Sequence, residues 1–221
     1  MIKLSEIIYN LKGIIRDNKS DDVKITNRQL EFMINYVRAR LIRQDVNKNR
    51  PISENIIQPL GVIPVNLVNA TDVPGINTKI LRTSVKIPKP IEVADKDLIL
   101  YVGGTDGLNG FDIVSKAQAK WSKYNKYTKC GKRAYYRNGY IYLSGADAKV
   151  VDSIYVEGVW ENPREVALFT ANGDYCYDIN VDGYPLSMHM IETINELLMG
   201  KEFTMMLQLS EDYENNASDK N

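Results

Sequence analysis

Six prolines fall between residues 47 and 94, and they limit what this part of the chain can form. Short stretches rich in isoleucine, valine and leucine lie between them, at Leu60–Val68, Ile80–Ile87 and Ile91–Val93. Proline lacks a backbone N–H and breaks helices, which argues against a long helix or a central strand here. We therefore predict extended chain with edge strands that packs through its aliphatic side chains. The six are Pro51, Pro59, Pro64, Pro74, Pro88 and Pro90.

Two amphipathic patterns precede the prolines. Apolar side chains recur at intervals of three and four over residues 3–17, which predicts a helix. A second helix is predicted over residues 26–44, because Thr26 and Gln29 have the spacing of a capping box. Its apolar stripe leaves three arginines for the solvent-exposed side, and two such helices joined by polar residues predict an αα-hairpin. Those arginines are Arg38, Arg40 and Arg43.

Residues 97–160 carry strand and turn signals. Asp97–Val102 predicts one strand, and the alternation within Val150–Trp160 predicts another. Between them, the pair Asn138-Gly139 is flanked by aromatic residues, which predicts a hairpin with a type I′ turn. Pro163 then follows an asparagine, which is typical of the first residue of a helix.

A third amphipathic pattern covers residues 184–209, with Pro185 predicted at the first helical position and an interruption at Gly200. Its methionine-rich stripe is typical either of an ordinary core or of an adaptable surface for a partner. The final residues, 210–221, are polar and acidic, and we predict that they are frayed unless a partner orders them. Their acids are Glu211, Asp212, Glu214 and Asp219.

The order of helices, strands and helices predicts an α+β fold. We expect the N-terminal helical hairpin and the C-terminal helices to form a helical layer beside a central antiparallel β domain. The predicted divisions are a helical hairpin at 1–46, a proline-rich segment with the β domain at 47–170, C-terminal helices at 171–209 and a flexible acidic tail at 210–221.

Composition excludes several classes of protein. The 221 residues carry 28 basic and 28 acidic side chains, so no global charge favours nucleic acid or a membrane surface. Cys130 and Cys176 are too few for a disulfide framework. There is no signal peptide pattern and no apolar run of about 20 residues. We expect a soluble protein that is made and used in a cytoplasm.

Nothing in the sequence indicates catalysis. His189 is the only histidine, which leaves too few ligands for a metal site and no partner motif for a catalytic triad. The glycines at 103–110 lack the ending of a phosphate-binding loop. We therefore expect no enzyme activity, no metal and no cofactor. An activity that depends on His189 would revive the alternative of a small-molecule enzyme.

One segment stands out by its charge. Between Asp112 and Asp147 there are eight cationic side chains, no acid and several interleaved aromatic residues. We predict a helix from about Asp112 to Tyr124 that carries lysines on one side. Such a segment is typical of a solvated lysine face, of a nucleic-acid-binding surface or of a surface that docks an acidic protein. The basic segment comprises Lys116, Lys120, Lys123, Lys126, Lys129, Lys132, Arg133 and Arg137.

Several features together resemble a known family. They are the N-terminal helical hairpin, the proline-rich crossing, the closing helices with their acidic tail, and the stretch from Val156 to Val166, which contains Gly158 and the run Glu161-Asn162-Pro163-Arg164-Glu165-Val166. This arrangement resembles the ring, or tail-adaptor, proteins in the head-to-tail region of podovirus-like phages, in particular the crAss-like phages of gut Bacteroidales hosts.

The resemblance implies a virion structural protein without catalysis. It implies a homo-oligomeric, dodecameric ring that joins the portal protein to neighbouring ring or tail proteins, assembles in the host bacterial cytoplasm and contacts no membrane. DNA in the channel is a further partner that the basic segment could meet. The subunit or partner contacts would then include Met188, Met199, Phe203, Met205 and Met206. The alternative to a ring is a nucleic-acid-binding module that uses residues 116–137.

Overall fold

The computed structural model describes residues 2–18, 25–69, 79–94, 96–104, 106–107, 109–122, 124, 126, 131–145, 151–170, 178 and 180–198. The chain divides into two compact units, one formed by residues 1–56 and 178–221 and the other by residues 57–177. Helices dominate the described part of the first unit, and a large sheet dominates the second. The predicted α+β class is confirmed.

The described residues of the helical unit form three helices and one short 3-10 turn. The second helix begins where the capping box predicts, because the Gln29 N–H donates to Thr26 Oγ1 at 3.3 Å and the Thr26 N–H donates to Gln29 Oε1 at 2.9 Å. This helix contacts both of the others. The elements are α1 (Leu4–Asn18), α2 (Asn27–Asn47), the turn Glu54–Ile56 and α5 (Met188–Leu197).

The sequence predicts Arg38 on the solvent-exposed side of α2, but its side chain is fully buried. Its Nε donates to the carbonyl oxygen of Pro185 at 2.8 Å, and its guanidinium carbon lies 5.8 Å from the centre of the Tyr184 ring. The prediction was wrong because helical periodicity cannot reveal a hydrogen-bond acceptor contributed by a distant segment. A guanidinium that is hydrogen-bonded and lies near the centre of an aromatic ring can be buried where an isolated one cannot.

Pro185 is also not the first residue of a helix. The helix α5 begins at Met188, after Ser187 at its N-cap, so Pro185 lies in the extended chain that precedes it. In that position its carbonyl is available to Arg38, which a carbonyl already bonded within a helix would not be. The helix predicted beyond Gly200 lies outside the described residues.

Nine strands and two helices make up the described part of the sheet unit. The large sheet has the order β5-β9-β1-β2-β8-β7-β6, and every neighbouring pair is antiparallel except β6 with β7. Its strands are β1 (Gln58–Asn69), β2 (Lys79–Thr83), β5 (Ile99–Gly103), β6 (Asp112–Ile113), β7 (Arg133–Arg137), β8 (Tyr140–Ser144) and β9 (Ser153–Gly158). A two-stranded sheet pairs β3 (Glu92–Val93) with β4 (Lys96–Asp97), and the helices are α3 (Lys116–Ser122) and α4 (Pro163–Thr170).

The strand β1 carries two prolines although it lies between two other strands in the order of the sheet. Its first half pairs with β9 from Gln58 to Pro64, and its second half pairs with β2 from Val65 to Asn69. Both prolines, Pro59 and Pro64, lie in the half that pairs with β9, so the ladder between β1 and β2 needs no proline N–H. In the sheet order β1 lies between β9 and β2, so the prediction of an edge strand is wrong for β1 as a whole, although each half pairs on one side only.

The large sheet is nearly closed, because its end strand β5 reaches the chain that leads into β6. The Phe111 N–H donates to the Val102 carbonyl at 2.7 Å, and Gly103 and Gly110 form an antiparallel bridge. The space inside is filled by one cluster of buried side chains, which includes Ile63, Ile141 and Trp160.

Replacing Gly103 with alanine is expected to destabilise this closure by about 1–3 kcal/mol, the usual cost of overpacking. A Cβ at this position would lie 2.6 Å from the backbone carbonyl oxygen of Asn109 and would also meet the Tyr101 hydroxyl. The measurement is urea unfolding followed by circular dichroism. Gly13→Ala in α1 is the control, because a Cβ there meets nothing within 4 Å and should stabilise the helix. Equal stability of the two variants would contradict the closure.

Two carboxylates face each other in the small sheet, since Glu92 pairs directly with Asp97. Burial raises the pKa of Asp97, Glu92 raises it further, and Lys89 opposes the shift. A raised pKa means that the folded state holds the Asp97 proton more tightly than the unfolded state, so stability falls as pH rises through that folded pKa.

Asp97→Asn is therefore expected to stabilise the protein at neutral pH by about 0.2–1 kcal/mol, the usual size of a cross-strand pair effect. The gain should shrink as pH is lowered and vanish below the unfolded value of 3.8. Urea unfolding of both proteins across this range tests it. A gain that stayed constant with pH would show that the charge of Asp97 is not its cause.

Candidate interaction surface

Three neighbouring strands present arginine and tyrosine side chains on the outer face of the large sheet. In β2, β7 and β8 the inward positions are buried, at Leu81, Ala134 and Ile141 among others. The alternate positions point outward because successive side chains of a strand face opposite sides. No acidic residue occurs in any of the three strands. The outward side chains include Arg82, Tyr135, Arg137, Tyr140 and Tyr142.

The predicted hairpin holds this face in register. Asn138 and Gly139 have φ angles of 52° and 84°, which confirms a turn with both residues in the left-handed region. Tyr135 pairs with Tyr142 across the strands, and their rings stack with centroids 5.2 Å apart and an interplanar angle of 7°. Such a ring pair contributes about 0.5–1.5 kcal/mol beyond its burial.

A second aromatic contact involves an arginine. The guanidinium carbon of Arg82 lies 4.2 Å from the centre of the Tyr140 ring, within the range of a cation–π interaction. Arg82 belongs to β2 and Tyr140 to β8, so this contact joins strands that are far apart in sequence. The outer face therefore carries a delocalised cation over a tyrosine ring.

The helix α3 adds two lysines beside this face. The sequence predicts that this helix starts near Asp112, but it starts at Lys116. Ser115 and Gln118 form a capping box that places the helix start there. Asp112 and Ile113 instead form β6. Ala119, on the side of α3 opposite its solvent-exposed residues, is buried, and α3 contacts β7.

Between α3 and the strands lies a cavity of about 350 Å³. Its polar lining consists of cationic, phenolic and hydroxyl groups, without a carboxylate among the described residues. Burial and the neighbouring Tyr142 raise the pKa of Tyr135, against the opposing effect of Arg137, so its phenol stays protonated and can donate a hydrogen bond. We call this site the cationic–aromatic surface: Arg82, Lys116, Lys120, Tyr124, Tyr135, Arg137 and Tyr142.

Two exposed aromatic rings continue this surface. Trp121 is 71% exposed and Tyr124 is 80% exposed, and their ring centroids are 6.4 Å apart. Tyr124 lines the cavity, so the pair lies at its margin. Large rings in solvent next to cations are typical of surfaces that a macromolecule covers, since tryptophan, tyrosine and arginine dominate binding hot spots.

The structure brings only part of the predicted basic segment into this site. Lys116, Lys120 and Arg137 line the cavity, and Lys126 and Lys132 are exposed elsewhere along the segment. Arg133 is 7% exposed, so its charge does not form part of an exposed face. Lys123 and Lys129 lie outside the described residues. Sequence reasoning missed Arg82, Tyr140 and Tyr142, and the Ser115–Gln118 spacing was the one local signal that would have placed α3.

Of the predicted contact residues, Met188 is 74% exposed at the start of α5. The others, Met199, Phe203, Met205 and Met206, lie outside the described residues. His189 is also exposed, and its Nε2 lies 3.7 Å from Asp45 Oδ2 on α2. This is a surface pair of a histidine and a carboxylate.

Apolar side chains are exposed in each unit. In the sheet unit, Val62, Val85 and Leu168 border a groove of about 760 Å³ between β1, the chain after β2, and α4. In the helical unit, Phe32 and Tyr36 are 72% and 51% exposed one turn apart on α2. Exposed apolar clusters of this kind mark interaction sites on many proteins.

Two further findings concern the described residues alone. They contain no helix that is both long enough and apolar enough to cross a membrane. They also contain no group of three or more histidine, cysteine, aspartate or glutamate side chains that could hold a metal ion.

A surface of cations, phenols and exposed rings is typical of proteins that bind a macromolecular partner. Residues 6–221 match the family described as phage tail ring protein 2, so the chain belongs to this family of crAss-like phage ring proteins. It is a structural ring component of a bacteriophage virion and assembles with other phage proteins. The family is a structural class rather than an enzyme class, and no curated protein matches the chain.

Proposed function

We propose that this chain is the subunit of a connector ring that joins the portal to the tail of the virion and works without a catalytic step. The observation that carries the proposal is the family match over residues 6–221, which covers nearly the whole chain. The ring would be dodecameric, and its channel would let the genome pass between head and tail.

A closed ring requires two different contact surfaces on each subunit, because every copy meets its two neighbours through unlike patches. The exposed apolar residues provide candidates for both. One is the groove bordered by Val62, Val85 and Leu168, and the other is the aromatic side of α2 with Phe32 and Tyr36. Met188 is a third exposed apolar residue that a neighbour could cover.

The cationic–aromatic surface is suited to bind a negatively charged partner. In a connector ring this partner is an acidic segment of a protein or the DNA in the channel. The alternative function, a nucleic-acid-binding module, is favoured by the same observation of lysines beside stacked tyrosines. It predicts DNA binding whose affinity falls steeply with salt concentration, because binding releases counterions.

The test of the connector ring is the amount of this chain in purified phage particles, measured by mass spectrometry relative to the portal protein. A molar ratio near unity is expected for a stoichiometric connector. Absence of the chain from intact particles would overturn the connector and favour the nucleic-acid-binding module.

A further inference from the structure

The charges of this chain are separated along the sequence although they balance overall. The region between Asp112 and Asp147 has eight cationic side chains and no acid. The last twelve residues, 210–221, have the opposite character, with four carboxylates and a single lysine. Two segments of opposite charge within one neutral chain are each suited to bind the other.

Part of the basic region, although solvent-exposed, is gathered around one cavity. Lys116, Lys120 and Arg137 line one cavity, and the described residues include no ion pair with any of the three. The tyrosines at the same cavity supply hydroxyl donors for a carboxylate and rings for an aromatic side chain. The acidic residues 210–221 contain both ligands, since Tyr213 stands between Asp212 and Glu214.

We propose that the acidic residues 210–221 of one subunit bind the cationic–aromatic surface of the neighbouring subunit. This inference rests on the proposed ring, in which every tail has an equivalent surface one position further round. The 23 residues from 199 to 221 follow the last described residue, Leu198, and would reach at most about 80 Å if fully extended. That reach permits a contact with an adjacent copy. Each such contact strengthens the others, because the ring holds the tail and the surface at high effective concentration.

The first experiment measures the tail contact directly. A peptide of residues 210–221 is titrated onto a full-length acceptor variant whose own tail is neutralised by Glu211→Gln, Asp212→Asn, Glu214→Gln and Asp219→Asn. Trp121 provides the signal, because it lies at the margin of the cavity while Trp160, the second of the two tryptophans, is fully buried. Saturable binding that weakens with salt is expected.

Matched variants define the site. Lys116→Glu, Lys120→Glu and Arg137→Glu introduced together into the acceptor should weaken peptide binding about tenfold or more, since three favourable charges become unfavourable. The control is the acceptor with an intact surface and with Lys12→Glu and Lys48→Glu on exposed parts of the helical unit. It should bind the peptide as tightly as the unaltered acceptor does. A peptide that carries the four neutral substitutions should lose binding.

A second experiment distinguishes a neighbour from the same chain. The donor has an intact tail and the three glutamate substitutions on the surface, and the acceptor has the neutral tail and an intact surface. Mixing them should give a donor–acceptor complex in analytical ultracentrifugation, whereas the donor alone should not form this contact. An unassociated mixture would overturn binding between subunits.

The remaining outcomes also decide the matter. No peptide binding, or equal binding of the neutral peptide, overturns the tail contact. A mixed-sequence DNA oligonucleotide that binds the acceptor when the peptide does not would assign the surface to nucleic acid instead. The connector-ring proposal can fail while the tail contact holds. In that case the chain is absent from purified virions but the purified chains still bind each other.

Discussion

Replacing Trp160 with alanine is expected to lower the free energy of unfolding by about 3–5 kcal/mol, the cost of removing a buried large aromatic side chain. The indole is fully buried in the cluster that fills the large sheet. Its Nε1–H donates to the carbonyl oxygen of Gln58 at 3.0 Å, which ties the segment after β9 to the start of β1. Urea unfolding followed by circular dichroism measures the loss.

Trp160→Phe separates packing from the hydrogen bond. Phenylalanine keeps an aromatic ring in the core but cannot donate to the Gln58 carbonyl. Its expected cost is about 1–3 kcal/mol, below that of alanine. If the free energy of unfolding of Trp160→Ala lay within about 0.5 kcal/mol of the wild-type value, the effect would be typical of an exposed residue. That result would contradict the placement of Trp160 in this core.

Replacing Arg38 with alanine should destabilise the helical unit by about 2–5 kcal/mol, the usual cost of truncating a large buried side chain. The substitution leaves a cavity, removes the donor from the Pro185 carbonyl and removes the cation beside the Tyr184 ring. Tyr184 itself donates from its hydroxyl to Asn35 Oδ1 at 2.6 Å, so the loss should extend to a second contact with α2. Thermal and urea unfolding both measure it.

Arg28→Ala is the matched control, because Arg28 lies on the same helix α2 and is exposed. It should change stability by no more than about 0.5 kcal/mol. Similar effects of the two substitutions would mean that Arg38 is not the buried contact between α2 and the segment before α5.

The candidate site could be only partly predicted from sequence. The lysines and the Asn138-Gly139 hairpin were visible because charge and turn chemistry are local. Arg82 was not, because it reaches the site through the pairing of β2 with β8, and nothing in residues 79–83 reports which strand lies beside them. Burial of Arg133 was hidden for the same reason, since the alternation of a short strand does not say what covers each face.

Local chemistry in the sequence by itself determined where some helices and turns begin. The capping box at Thr26 and Gln29, the turn at Asn138 and Gly139, and Pro163 as the first residue of α4 all act over a few residues and are confirmed. The tertiary structure alone decided which polar groups are buried and which side chains meet. Arg38 binds Pro185 across 147 residues and Trp160 binds Gln58 across 102. Such contacts join segments that are far apart in sequence, and periodicity within one element carries no information about the partner.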